Sequence, residues 1–139
     1  MYSILRRNVD TPIIGVKNGG TQARLVGEKF SGNNFEILMN HWGSRDSWGN
    51  RGILPPNGIH LEYLELLKRA KRTDFMSYMP ALWPSEVLIS EKVRDILDRY
   101  NIYGASYVDA YLHDGSNKHK YYLFILQTIP SNWVKWSEV

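Results

Sequence analysis

Residues 83–126 constrain this chain more than any other stretch, because they spell out a capped helix followed by two strand-like runs. Ser90 is a good N-cap, since its hydroxyl can accept from an orphan backbone amide of the first turn. Glu91 then sits at the positive end of the helix dipole. Val93, Ile96, Leu97 and Tyr100 recur at the i, i+3, i+4, i+7 spacing of one helical face, with Lys92, Arg94, Asp95, Asp98 and Arg99 on the other side. This spacing predicts a helix over 90–100. Asn101 tolerates the left-handed conformation that ends helices, and Ile102 can fold back after it. Residues 105–112 and 121–127 read as strands joined by a loop containing the turn dipeptide Asp114-Gly115. The second run is apolar on both faces, which predicts a central position in a sheet.

The apolar run Val87-Leu88-Ile89-Ser90, the helix from Glu91 to Tyr100 and the strand beginning Tyr121-Tyr122-Leu123 follow one another in a distinctive order. In this order they resemble the C-terminal half of a family of immunity proteins encoded beside polymorphic or contact-dependent growth-inhibition toxins. The resemblance covers the last third of the chain. It implies that the protein binds and neutralises one cognate toxin, with no catalysis and no cofactor. Many toxins of this kind are basic nucleases, and their inhibitors tend to be acidic. This chain departs from that pattern, with a formal net charge of +3 and a pI of about 9.1. Either the toxin is not strongly basic, or acidic clusters such as Glu62/Glu65 and Asp95/Asp98 carry the contact.

A length of 139 residues suits one domain spanning 1–139, with one core. The balance of 43% hydrophobic and 22% charged residues is ordinary for a soluble domain. Nine Tyr and five Trp are many, and such side chains belong in a core, an interface or a ligand platform. The small positive charge does not establish a nucleic-acid binder, which needs a clustered basic face. With no cysteine, disulfides and thiolate chemistry are excluded. The opening MYSILRRNVD lacks the apolar core of a signal peptide, and no run approaches the roughly 20 apolar residues of a membrane span. A cytosolic, soluble protein is the expectation.

The first half is less legible. Residues 2–5 and 12–16 look like short strands, Asn18-Gly19-Gly20 like a turn, and 21–26 like a returning hairpin partner. Arg6, Arg7, Lys17, Arg24 and Lys29 are spread through this region and read as a solvated basic surface. Residues 35–42, FEILMNHW, read as a further strand. Residues 43–58 show no periodicity and hold Arg45, Asp46, Trp48 and Arg51 among glycines and a Pro-Pro pair. A long aperiodic loop rich in Trp and Arg suits an interface, because hot spots are enriched in both. Trp42 and Trp48 have core packing as the competing assignment. Residues 59–72 read as a helix, with Leu64, Leu67, Tyr63 and Ala70 as the buried stripe and Lys68, Arg69, Lys71 and Arg72 at its C-terminal end. Residues 73–83 read as a half-buried segment over a core edge. Trp133 and Trp136 in the tail either cap the core or face a partner.

No catalytic motif stands out. None of the pairs among His41, His60, His113 and His119 has the i, i+4 spacing of a helical metal site. His113 and His119 flank the hairpin turn and can be drawn as an acid–base pair for metal-free RNA cleavage. Solvated turn residues are the simpler account. The stretch NGGTQARL lacks the Lys-Ser/Thr end of a phosphate loop, and no GxSxG elbow occurs. The expected fold is α+β: an antiparallel or mixed sheet with helices 59–72 and 90–100 packed on it. The expected partner-binding residues are Trp42, Arg45, Asp46, Trp48 and Arg51 in the loop, with Tyr107, Asp109 and Tyr111 in the hairpin. The alternatives are a small RNA- or single-stranded-DNA-binding module, or a ribonuclease using His113 and His119.

Overall fold

The structure, a computed structural model, describes residues 7–17 and 20–127. The strand expected at 2–5, the turn at Asn18-Gly19 and the tail with Trp133 and Trp136 lie outside the described residues.

Six strands form a closed barrel: β1 (Ala23–Leu25), β2 (Leu61–Leu66), β3 (Phe75–Leu82), β4 (Ser85–Ser90), β5 (Ala105–Asp114) and β6 (Asn117–Leu126). Their order around the barrel is β1-β2-β5-β6-β4-β3. The sheet is mixed: β1–β3 and β2–β5 are parallel and the other four pairs antiparallel. Among the described residues three α-helices, α1 (Thr11–Ile14), α2 (Asn34–Trp42) and α3 (Glu91–Leu97), complete an α+β domain.

The β5–β6 hairpin is the longest ladder, paired from Ala105↔Leu126 down to Asp114↔Asn117. It therefore runs further than 105–112 and 121–127, and its turn is only Gly115-Ser116. Gly115 has φ 60, a left-handed conformation that glycine adopts without a Cβ clash. Alternation sends Val108, Ala110, Leu112, Tyr121, Leu123 and Ile125 into the barrel, where all are buried. β6 sits between β5 and β4, the central position its two-sided apolar character predicts.

The helix expected at 59–72 is β2 followed by a turn. The physical reason is a β-bulge. Leu61 pairs with Ala110 and Leu64 with Leu112, so Glu62 and Tyr63 on β2 oppose the single Tyr111 on β5. Of the expected stripe only Leu64 is fully buried; Tyr63 is half-buried, and Leu67 and Ala70 lie past the end of β2. The chain then reverses through Arg69, which has φ 70, with the Ala70 N–H bonded to the Leu67 carbonyl.

Residues 35–42 form α2, not a strand. Phe35, Leu38 and Trp42 fall at i, i+3 and i+7, and α2 delivers Leu38 and Trp42 to the core. Residues 12–16 are not a strand either: Pro12 stands in the first turn of α1, where its fixed φ and missing N–H suit a helix start. Within 21–26, β1 is a strand, but it pairs with β2 and β3 instead of with 12–16. The segment 73–83 is largely β3, paired with β1 and β4. α3 begins as its sequence predicts, with Ser90 Oγ accepting from the Val93 N–H at 3.3 Å. It stops at Leu97, capped by Asp98, and Asn101 is not left-handed. Ile96 and Tyr100 are 42% and 68% exposed, so the lower part of the expected apolar stripe faces outward.

The barrel closes at its shortest seam. β1 and β3 share only the pairs Ala23↔Tyr78 and Arg24↔Met79. Just before them, fully buried Gln22 extends the pairing with its side chain. Its Oε1 accepts from the Ser77 N–H at 3.4 Å, and its Nε2 donates to the Lys71 carbonyl at 2.9 Å and to Thr73 Oγ1 at 3.0 Å. The Gln22 N–H donates to Ser77 Oγ at 3.1 Å. A buried amide is tolerated when its polar atoms are satisfied in this way.

Candidate partner-binding face

Alternation along β5 and β6 decides what the outer wall of the barrel carries. On the other face stand Tyr107, Asp109, Tyr111 and His113 on β5, and Lys118, Lys120 and Phe124 on β6, with Tyr122 between them buried at 9% exposure. The register puts Asp109 beside Tyr122, Tyr111 beside Lys120, and His113 beside Lys118. The β2 bulge turns Tyr63 outward, where it stacks on His113 with centroids 3.7 Å apart and planes 8° from parallel.

These side chains hold one another. Lys120 Nζ donates to Tyr111 Oη at 2.9 Å, pairs with Asp109 at 3.0 Å and lies 4.2 Å above the Tyr111 ring. Lys118 lies 4.3 Å from the same ring. Arg94, from α3, lies 4.4 Å from both the Tyr107 and Tyr122 rings, and also pairs with Asp98 at 3.7 Å. Cation–π contacts of this kind contribute about 0.5–1 kcal/mol at exposed sites. Desolvation works against the Lys120 charge, but hydrogen bonds to Tyr111 and Asp109 and the Asp109 carboxylate outweigh it and raise its pKa. Desolvation and then the charge of Lys118 lower that of His113, so its ring favours the neutral form. Burial and the charge of Asp98 raise the Tyr107 hydroxyl, against the pull of Arg94.

A pocket of about 270 Å³ adjoins this wall, between Leu54, Pro55 and His60 on one side and Tyr107 and Asp109 on the other. His60 meets the Tyr111 ring edge-to-face at 5.7 Å.

The expected loop residues divide. Trp42 is a correction: it is fully buried in the core, its indole N–H donates to the Asn50 carbonyl at 2.7 Å, and it cannot meet a partner. The loop itself is ordered by such bonds. Ser44 and Ser47 form a capping box at the start of the 3₁₀ turn Arg45–Asn50, and Asn50 Nδ2 donates to the His41 carbonyl. Arg45 and Asp46 are exposed on this turn. Trp48 is 57% exposed, with Arg51 stacked 4.2 Å over its ring and Trp83 against its edge at 5.2 Å. The structure thus brings Tyr107, Asp109 and Tyr111 together in one cluster and Trp48 with Arg51 in another.

Sequence reasoning missed Tyr63, Arg94, Lys118, Lys120 and Tyr122 on this wall. A two-residue turn at Gly115-Ser116 was the signal available for the β6 residues, since it sets every cross-strand pair of the hairpin. Nothing local marks Tyr63 or Arg94, which arrive from other elements.

His113 and His119 do not converge. His119 pairs with Leu112, whose side chain points into the barrel, while His113 alternates with Leu112 and points outward. Among the described residues no group of three or more His, Asp or Glu is placed to hold a metal ion. No described helix is long and apolar enough to cross a membrane. No protein-family model matches the chain, and no curated protein or solved structure matches it.

Proposed function

We propose that this chain is an immunity protein of the cytoplasm, which binds the toxic domain of a cognate secreted protein and neutralises it by contact alone. The observation that supports this reading is the outer wall of β2, β5 and β6, where aromatic side chains are locked by their own neighbours before any partner arrives. Ordering a mobile side chain on binding costs about 0.5–1.5 kcal/mol, so Tyr107 and Tyr111, already held by Arg94 and Lys120, meet a partner with much of that cost removed. Tyr and Arg are among the residues enriched in hot spots. A specific complex of this kind buries about 800 Å² per partner, and the pocket lined by Leu54, Pro55 and His60 extends the wall beside Tyr107 and Asp109. A closed barrel also offers no free sheet edge around most of its circumference, so affinity rests on side chains rather than on strand addition.

The test is to express the chain with the toxic domain encoded beside it. The expected result is co-elution at fixed stoichiometry and survival of cells producing both. Separate elution and undiminished toxicity would end this reading.

A further inference from the structure

We infer that the β5–β6 wall receives an acidic protein surface, so that the partner presents Asp and Glu side chains to Lys118, Lys120 and Arg94. The inference rests on the reading of this wall as the partner-binding face, and deepens it by fixing the sign of the partner's charge.

The charges on the wall are unevenly committed. Its carboxylates, Asp109 and Asp98, are each paired with a cation, Lys120 and Arg94. The other acidic groups near β2 are similarly engaged. Glu65 pairs with Arg24 at 3.3 Å, and Glu62 accepts from Asn34 Nδ2 and from the Ser31 N–H. Burial opposes the Glu62 charge, but those hydrogen bonds and His60 prevail and lower its pKa. Lys118 differs: its ammonium lies over the Tyr111 ring and pairs with no carboxylate among the described residues. Lys29 lies 6.0 Å from the Tyr63 ring and likewise has no acidic partner among the described residues. Asp114, at the hairpin tip, alternates with His113 and belongs to the opposite side of the ladder. Of the charged side chains gathered on this wall, the cations Lys118, Lys120 and Arg94 outnumber the carboxylates Asp109 and Asp98, and complementary surfaces meet with opposite signs.

A nucleic acid would also supply negative charge, but it would use the tyrosines as stacking platforms, which need open ring faces. Here Tyr111 is covered by Lys118 and Lys120, Tyr107 and Tyr122 by Arg94, and Tyr63 by His113.

The test titrates the full chain with poly-glutamate and, separately, with polyuridylate of equal charge, following backbone amide shifts. Poly-glutamate should move the amides of β5 and β6, with affinity falling as salt rises. Lys118→Glu should weaken it by about tenfold or more, and Asp109→Asn, which frees Lys120, should strengthen it by about twofold or more. A merely structural role for these residues would not produce opposite signs. No shift on β5–β6, or tighter binding of polyuridylate at the same wall, would overturn the inference. The toxic domain separates the two claims. If it binds wild type, Lys118→Glu and Asp109→Asn equally well, the acidic-partner inference fails while the binding function stands. If it does not bind but poly-glutamate maps to the wall, the reverse holds.

Discussion

Removing the Gln22 side chain should cost this barrel more than its single position suggests. Gln22→Leu keeps the volume and deletes three hydrogen bonds at the β1–β3 seam. The Ser77 N–H loses the side-chain oxygen it donates to in a site only 7% exposed, so this bond carries the penalty of a buried donor left unpaired, about 1–3 kcal/mol. The Lys71 carbonyl belongs to an exposed residue, and water recovers part of that loss. Thr73 Oγ1 keeps its own donation to the Phe75 carbonyl at 2.6 Å and loses only an incoming bond. The two together add about 1 kcal/mol, for a total of about 2–4 kcal/mol. The main-chain pairing that remains at this seam is two residues long, too little to mask the effect. The assay is urea unfolding followed by circular dichroism, with Arg24→Ala as control. Arg24 lies on the same strand, and its ion pair with Glu65 is half exposed on both sides, so its loss should cost no more than about 0.5 kcal/mol. Equal midpoints for Gln22→Leu and Arg24→Ala would refute the claim that Gln22 seals the barrel.

Trp42→Phe should destabilise the fold by about 2–4 kcal/mol through the vacated core volume and the orphaned Asn50 carbonyl, while Trp48→Ala should stay within about 1 kcal/mol; thermal melts of both separate core from surface. Tyr78→Phe should cost about 1–3 kcal/mol, because the Tyr78 hydroxyl donates to the Ser85 carbonyl and accepts from the Leu82 N–H. Burial pushes the Tyr78 pKa up, so the fold holds the neutral phenol. Its contribution is intact below the unfolded value of about 10 and declines as pH rises beyond it; wild type should therefore lose stability above pH 10 more steeply than Tyr78→Phe in alkaline melts. Gly15→Ala should be poorly tolerated: Gly15 has φ 83, and an added Cβ would collide with the Arg69 carbonyl oxygen, so the variant should unfold at lower urea by at least about 1–2 kcal/mol.

The legible parts of the chain were those where one local rule acts alone. The Ser90 cap, the strand-like run of β5 and the two-sided apolar run of β6 follow from neighbours in sequence, and each has the element type the sequence predicts. The failures came where tertiary pairing overrides local spacing. The Leu64, Leu67 spacing imitates a helix, but Leu64 lies on β2 and Leu67 already in the segment that leads into the turn after it. The Phe35, Leu38, Trp42 spacing of α2 was present in the sequence but masked by its density of apolar residues. The wall was half legible: Tyr107, Asp109 and Tyr111 lie on one strand, whereas Tyr63 and Arg94 reach it through the bulge and the α3 packing. Trp42 could not be separated from Trp48 by composition, since only the fold decides which indole turns inward.

The most direct trial of this account is an amide and side-chain shift map of the protein bound to the toxic domain. Changes concentrated at Tyr107, Tyr111, Lys118 and Tyr122, with the barrel interior at Leu112 and Leu123 unmoved, are the predicted outcome. A footprint confined to another side of the barrel, with this cluster silent, would contradict it.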